Sequence, residues 1–401
     1  MTWRLSLGRN RRFEINNSIT LEKRIRNRLA ELETKGMLRT LCSPEGIDLS
    51  SNDYLGLAKH PKLVDHLISA LQQEGCGSTG SRLLRGHRES FTAVEQCFSK
   101  FKRTARSLYF SSGYLANIAV LTTLPEAGDV VYSDERNHAS LIDGLRLSQA
   151  DCVVFPHNDV NRLADHLSNG RRSGQRFIVV ESLFSMNGDF APLVDYVSLC
   201  RKYNAQLIVD EAHAVGIYGS GGNGLIDNAG VSTDVLVSIN TAGKALGVAG
   251  AFVSGTDWAI DYLEQRARPF MFSTAPPPAF TDALIVSLGI ITSEPERRKR
   301  LFDRVRFLRK QLHRLNISIP SDESQIIPIL VGKNSKAVSL ASKMQKDGFD
   351  VRAIRPPSVP EGQALLRVSV NADLSEENLC RFVETLNKYL GKEESCLVDS
   401  L

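Results

Sequence analysis

Lys244 stands in VSINTAGKALGVAGAFVSG among glycine, alanine and threonine, directly after a run that reads as a buried strand. Small neighbours let a flat group approach the main chain. An amine taken out of water also loses part of its cost of deprotonation and becomes nucleophilic toward an aldehyde. Taken alone, the segment would also suit a surface lysine in a turn. Earlier in the chain, QLIVDEAHAVG ends a second buried run with Asp210 and, just beyond it, His213. A lysine able to form a Schiff base and a carboxylate able to keep a pyridine nitrogen protonated are the two requirements of pyridoxal 5′-phosphate (PLP) chemistry, because the protonated ring accepts the electrons of a carbanion. The D-E-A-H run would also suit the metal-binding strand of a nucleotide hydrolase, but no GxxxxGK[ST] loop is present to hold a triphosphate.

Other motifs extend the PLP pattern. SLYFSSGYLANIAVL reads as a strand, a tight turn and a helix, offering the amides of Gly113 and Tyr114 at a helix N-terminus, a phosphate site by geometry and dipole. Thr241 would add a hydroxyl. His138, in SDERNHASL, is placed to stack on a pyridine ring and to hydrogen-bond a substrate carbonyl. Arg367 in LLRVSV and Arg355 in RPPSVP are candidates for clasping a carboxylate, since a guanidinium fork matches that planar group. The glycine-rich GCGSTGSRLLRG fits neither a dinucleotide fingerprint nor a P-loop and reads as a close-packed loop beside the site.

The elements that must position these residues form an α/β pattern. SLYF, VVY, CVVF, FIVVE, QLIVD and VLVSI are short apolar runs that each end in a polar or glycine-rich loop, with room for crossover helices such as 191–203 between them. Strands apolar almost throughout belong in a mainly parallel sheet covered on both faces. Such sheets bind ligands beyond the carboxyl ends of their strands. Tyr114, His138, Ser185, His213 and Lys244 all follow such ends and are expected to converge on one pocket. An amphipathic entry helix is expected over 21–41, and IIPILVG and LLRVSV predict a smaller C-terminal α+β unit. The expected division is an N-terminal helical arm over 1–50, a large domain over 51–292 and a small domain over 293–401.

Bulk composition removes other classes. The 401 residues are 42% hydrophobic, enough for more than one domain. The net charge of +4 comes from 49 basic and 45 acidic residues without a like-charge block, so neither nucleic acid nor a membrane surface is an expected partner. Seven scattered cysteines form no CxxC pair, which argues against a disulfide framework or a metal site and fits a cytoplasmic protein. No run approaches a membrane span. The start MTWRLSLGRNRRF lacks the apolar core of a secretory signal; its arginines fit a solvated tail or an organelle transit peptide.

With these residues in view, the chain resembles the α-oxoamine synthases, PLP-dependent enzymes that join an amino acid to an acyl thioester with loss of CO2. SNDYLGL, GSTGSRLL, FSSGYLANIAV, NHASLIDG, DEAHAVG and GKALGVAGAFVSG look like its motifs, in the family's order and over nearly the whole chain. ARPFMFSTAPPPA, His157–Val160 and AIRPPSVPEG look like the biotin-pathway branch. Ala242, where the family usually carries a larger residue, and the uncommon loop Arg82–His87 depart from the pattern.

The resemblance implies a fold-type I PLP-dependent transferase acting as a homodimer. It implies Lys244 as the Schiff-base lysine and proton carrier, Asp210 at the pyridine nitrogen, His213 and Ser185 at the phenolic oxygen, and His138 on the ring. Gly113, Tyr114 and Thr241 would hold the phosphate, joined by Ser273 and Thr274 of the partner subunit. Asn52 and Arg367 would contact the amino-acid carboxylate, with Arg39 and Ser358 near the acyl entrance. The substrates implied are L-alanine and a pimeloyl thioester, on coenzyme A or an acyl carrier protein. Glycine C-acetyltransferase is the alternative pairing, and a silent regulatory subunit is a rival that the presence of Lys244 argues against.

Overall fold

The computed structural model describes residues 20–170 and 173–398, with side chains described to residue 390. The arginine-rich start lies outside the described residues. Among the described residues, twelve strands form three sheets. The large sheet holds β2 (Arg106–Phe110), β3 (Val130–Asp134), β4 (Asp151–Phe155), β5 (Arg176–Glu181), β6 (Gln206–Asp210), β7 (Val235–Thr241) and β8 (Ala251–Gly255) in the order β2-β8-β7-β6-β5-β3-β4. All of its pairings are parallel except the two made by β8. A three-stranded antiparallel sheet is ordered β11 (Arg352–Ile354), β12 (Ala364–Ser369), β9 (Ile326–Gly332). β1 (Ile47–Asp48) pairs in parallel with β10 (Phe349–Asp350), tying the segment before SNDYLGL to the C-terminal sheet.

This is the expected α/β architecture, a mainly parallel sheet with helices on both faces, and the reason lies in the strands. β5 and β6 are buried almost throughout, as branched and aliphatic residues on both faces require when helices cover both sides. One apolar cluster, with Leu108, Val131, Val179 and Ile239, lies against the helices Gly113–Leu121 and Asp257–Arg266; another, with Ile178, Val180, Leu207 and Val209, lies against Leu193–Tyr203. A third cluster runs from Tyr54 through Leu284 and Leu308 to Val368 and Phe382, so one continuous core joins the large and small sheets. Phe98 stacks on Phe252 with ring centroids 3.9 Å apart inside it.

Three differences from the sequence pattern have physical causes. The entry helix stops at Thr34, because Gly36 turns the chain with φ of +61°. Its Leu21, Ile25 and Leu29 remain 63%, 45% and 48% exposed. β4, read as a covered strand, is the sheet edge and is largely exposed. β8 escapes a hydrophobic-run reading because AFVSG is short and flanked by glycine.

Candidate active site

The carboxyl ends of β2, β3, β5, β6 and β7 share one rim of the sheet, and the loops that carry Gly113, His138, Ser185, His213 and Lys244 leave from it. β7 delivers Thr241 and then Lys244, whose Nζ lies 2.8 Å from His213 Nε2. Burial lowers Lys244 to about 8, against the opposing pull of Asp210 and Glu181 and with the help of the nearby Arg367 charge. His213 is pushed well below its ordinary value by burial and by the Lys244, Arg367 and His138 charges, so its ring is neutral at physiological pH.

Asp210 ends β6 and is buried. One of its oxygens accepts from the amide of Ala212 and the other from Asn117 Nδ2, both at 2.8 Å. Asn117 also donates to Ser140 Oγ, which lies 2.7 Å from His138 Nδ1. His138 Nδ1 caps the helix Ala139–Leu147 by accepting from the Ser140 amide, which leaves the proton of a neutral ring on Nε2. Asp210 and His138 are thus set by one chain of hydrogen bonds.

Beyond His213 lies a second group. Its Nδ1 is 2.7 Å from Tyr54 Oη, which in turn is 2.9 Å from Asn52 Oδ1. Arg367, 7% exposed, donates to Asn52 Oδ1, Tyr54 Oη, Ser369 Oγ and the carbonyl of Ser185. The structure therefore brings Asn52, Ser185, His213, Lys244 and Arg367 into one cluster, with Asp210 and His138 adjoining.

Gly113 meets Thr241 so closely that a Cβ there would lie 2.5 Å from Thr241 Oγ1. The following helix opens at Ser112, whose hydroxyl accepts from the Leu115 amide. The Tyr114 side chain turns away to donate to Asp143. Arg39 donates to the Pro356 carbonyl in the loop that carries Ser358, and both residues are exposed. Arg355, a candidate for clasping a carboxylate, instead donates to the carbonyls of Gly36 and Leu38, away from the Lys244 cluster. Ser273 and Thr274 follow the helix Arg268–Met271, where the chain is held to the glycine-rich loop by Ala275 N donating to Gly80 O. That loop is fixed by the buried pair Arg82–Glu95, with Arg82 also 4.4 Å over the Phe91 ring.

Several residues here escape a reading of motifs. Glu181 at the end of β5 is 3% exposed and takes the Ser185 amide on one oxygen, with the His138 main chain also bearing on its carboxylate. Tyr54 sits inside SNDYLGL but carries no motif signal of its own. Gln325 donates to the His213 carbonyl and is held by Tyr218.

The donor set fits PLP. It offers an amine with a lowered proton affinity, a fixed carboxylate, a neutral imidazole and a helix N-terminus that admits no side chain at Gly113.

Comparison with known proteins points the same way. A family model described as aminotransferase class I and II matches residues 44–386. 8-Amino-7-oxononanoate synthase 2 of Bacillus subtilis (strain 168) is 40% identical over 382 residues, covering 92% of this chain and 97% of that protein. A serine palmitoyltransferase of S. paucimobilis, solved with a bound PLP–myriocin aldimine, superposes with a TM-score of 0.86 at 26% identity, covering 93% of this chain and 98% of that one. The 8-amino-7-oxononanoate synthase of Francisella tularensis gives a TM-score of 0.77 at 29% identity, with coverage of 87% and 99%.

Proposed function

This chain belongs to the aminotransferase class I and II family and, within it, to the α-oxoamine synthases, and from that premise we propose that it makes 8-amino-7-oxononanoate in biotin biosynthesis. The substrates are L-alanine and a pimeloyl thioester, carried on coenzyme A or an acyl carrier protein. The observation that carries this reading is the 2.8 Å contact of Lys244 with His213 inside a cluster that also contains the Asn52–Arg367 fork.

PLP, when bound, supplies a ring that takes up the electron pair left on the substrate carbon after loss of a proton and again after loss of CO2. Lys244, lowered to about 8 by burial, gives up its proton far more readily than an exposed lysine, so it would serve first as the nucleophile that holds the cofactor and then as the base for the alanine Cα proton. Asp210, held by Ala212 and Asn117, keeps a proton on the pyridine nitrogen. Neutral His213 and Ser185 would hydrogen-bond the phenolic oxygen, and His138 would lie on the ring. Gly113, Tyr114 and Thr241 would take the phosphate, with Ser273 and Thr274 contributed by the second subunit of a homodimer. Asn52 and Arg367 take the alanine carboxylate. Arg39 and Ser358 border the acyl path. The reaction joins alanine Cα to the acyl carbon after Lys244 takes the Cα proton, expels the thiolate, which takes a proton from solvent, releases the carboxyl as CO2 and returns the Lys244 proton to Cα. A cytoplasmic location agrees with six unpaired cysteines among the described residues.

Mass spectrometry of products from the purified enzyme with PLP, alanine or glycine, and pimeloyl or acetyl thioesters tests the reading. Alanine with a pimeloyl thioester is expected to give 8-amino-7-oxononanoate. Turnover of glycine with acetyl-coenzyme A alone would instead make the chain a glycine C-acetyltransferase.

A further inference from the structure

Tyr54 stands between the two ends of the cluster. It is fully buried, and its hydroxyl touches His213 on one side and Asn52 and Arg367 on the other. We propose that Tyr54 is a positioning residue through which a carboxylate arriving at Asn52 and Arg367 is felt at His213 and Lys244. The proposal rests on the assignment of that fork to the amino-acid carboxylate.

The hydrogen-bond count makes the coupling necessary. A guanidinium has five N–H groups. Arg367 commits Nε to the Ser185 carbonyl at 2.6 Å, one terminal nitrogen to Ser369 and Asn52, and the other to Asn52 and Tyr54. A carboxylate entering between the terminal nitrogens has no idle donor to take. It must displace Asn52 and Tyr54, while the buried Ser185 and Ser369 contacts keep the guanidinium in place.

The ring tautomer follows from the same count. Tyr54 has one proton to give, and Asn52 Oδ1 and His213 Nδ1 both lie within reach of it. With the cofactor held, the neutral His213 ring needs its proton on Nε2 for the phenolic oxygen, so Nδ1 accepts the Tyr54 proton while Asn52 Oδ1 still accepts from Arg367. Gln325 holds the His213 main chain while this occurs. Withdrawal of the Arg367 donor makes Tyr54 a weaker donor to Nδ1 and Nε2–H in turn a weaker donor toward the phenolic oxygen and Lys244. Substrate arrival therefore raises proton affinity on the Lys244 side. The groups that bear directly on Lys244 are Asp210, Glu181 and Arg367, and those on His213 are Lys244, Arg367 and His138. Of these, only Arg367 changes partners when the fork fills.

Propionate is the probe, because it carries the carboxylate of alanine without the amine. In the PLP-loaded enzyme, the pH midpoint of the visible band is expected to rise by ~0.5–1 unit with saturating propionate. In Tyr54→Phe, which keeps the buried ring and loses the hydroxyl, calorimetry is expected to show propionate bound within ~3-fold of the parent affinity while most of the midpoint shift disappears. A full shift in Tyr54→Phe would mean that the charge acts through space alone and would overturn the proposal. So would a parent enzyme that binds propionate without a shift, or one that does not bind it. If Tyr54→Phe does not fold, nitrogen-15 spectra of histidine-labelled parent enzyme decide instead. The His213 Nδ1 resonance is expected to move with propionate, and an unmoved resonance overturns the coupling. An enzyme that acquires no visible band with PLP fails the functional assignment itself, which is a separate result.

Discussion

Glu181 faces Asp210 directly across the parallel register of β5 and β6, so two buried carboxylates share one end of the sheet. Burial, and then the Asp210 charge, raise Glu181 to about 8 from an ordinary value of 4.5. The folded chain holds this proton at pH values where the unfolded chain has released it, so its contribution to stability falls as pH rises from about 4.5 to 8. Glu181→Gln removes that cost. Urea denaturation is expected to show the variant more stable by about 1–3 kcal/mol at pH 8 and level with the parent at pH 4.5. A gain independent of pH would show that Glu181 is ionised in the fold.

His157 has the opposite sign. Burial disfavours its charge, but Asp134, 3.0 Å from Nδ1, and Asp189, 2.5 Å from Nε2, outweigh that and raise it to about 9. The stabilisation is complete below the ordinary value of 6.5 and is lost as pH rises through about 9. His157→Asn is expected to cost about 1–3 kcal/mol at pH 6, with the difference from the parent narrowing by pH 10. Thermal melts across that range check it.

On the proposed roles, loss of Lys244 removes both nucleophile and base. Lys244→Ala is expected to lower kcat/KM by on the order of a thousandfold or more, and Asp210→Asn to do likewise. Asn117→Ala is expected to cost about tenfold, because the Ala212 amide still holds the other Asp210 oxygen. Equal losses in Asn117→Ala and Asp210→Asn would mean that Asn117 does more than orient the carboxylate.

Lys102 is 4% exposed and donates to Glu211, which is fully buried, and to the Asn223 carbonyl. Lys102→Met strands the Glu211 charge in the core and is expected to cost about 3–5 kcal/mol. Adding Glu211→Gln is expected to recover part of that, since the bare charge is gone. A Lys102→Met chain with an unchanged denaturation midpoint would show that the pair contributes nothing to stability.

The fold class was legible because β5, β6 and β7 are apolar runs with polar ends, and parallel sheets collect such ends on one rim. The meeting of Lys244 with His213 follows from that rule. Tyr54, Gln325 and Glu181 were not legible, because their roles lie in partners distant along the chain: Tyr54 touches His213 and Arg367, and Gln325 touches His213 from the C-terminal sheet. Arg355 and Arg367 look equivalent as sequence. Only the fold shows one donating to the carbonyls of Gly36 and Leu38 and the other filling the fork.

The chain leaves β7 at Thr241 and re-enters the same sheet as β8 at Ala251, with the Ala242 amide bonded to the Gly250 carbonyl and Val248 N to Ala242 O. Gly247, at φ of +69°, presses against the main chain of Leu57 and Ala58. Lys244 is therefore pinned on both sides by one sheet, like a rod mounted between two fixed posts. Whatever movement the proposed role asks of its amine is thereby left to rotation about side-chain bonds, with the main chain held by the sheet.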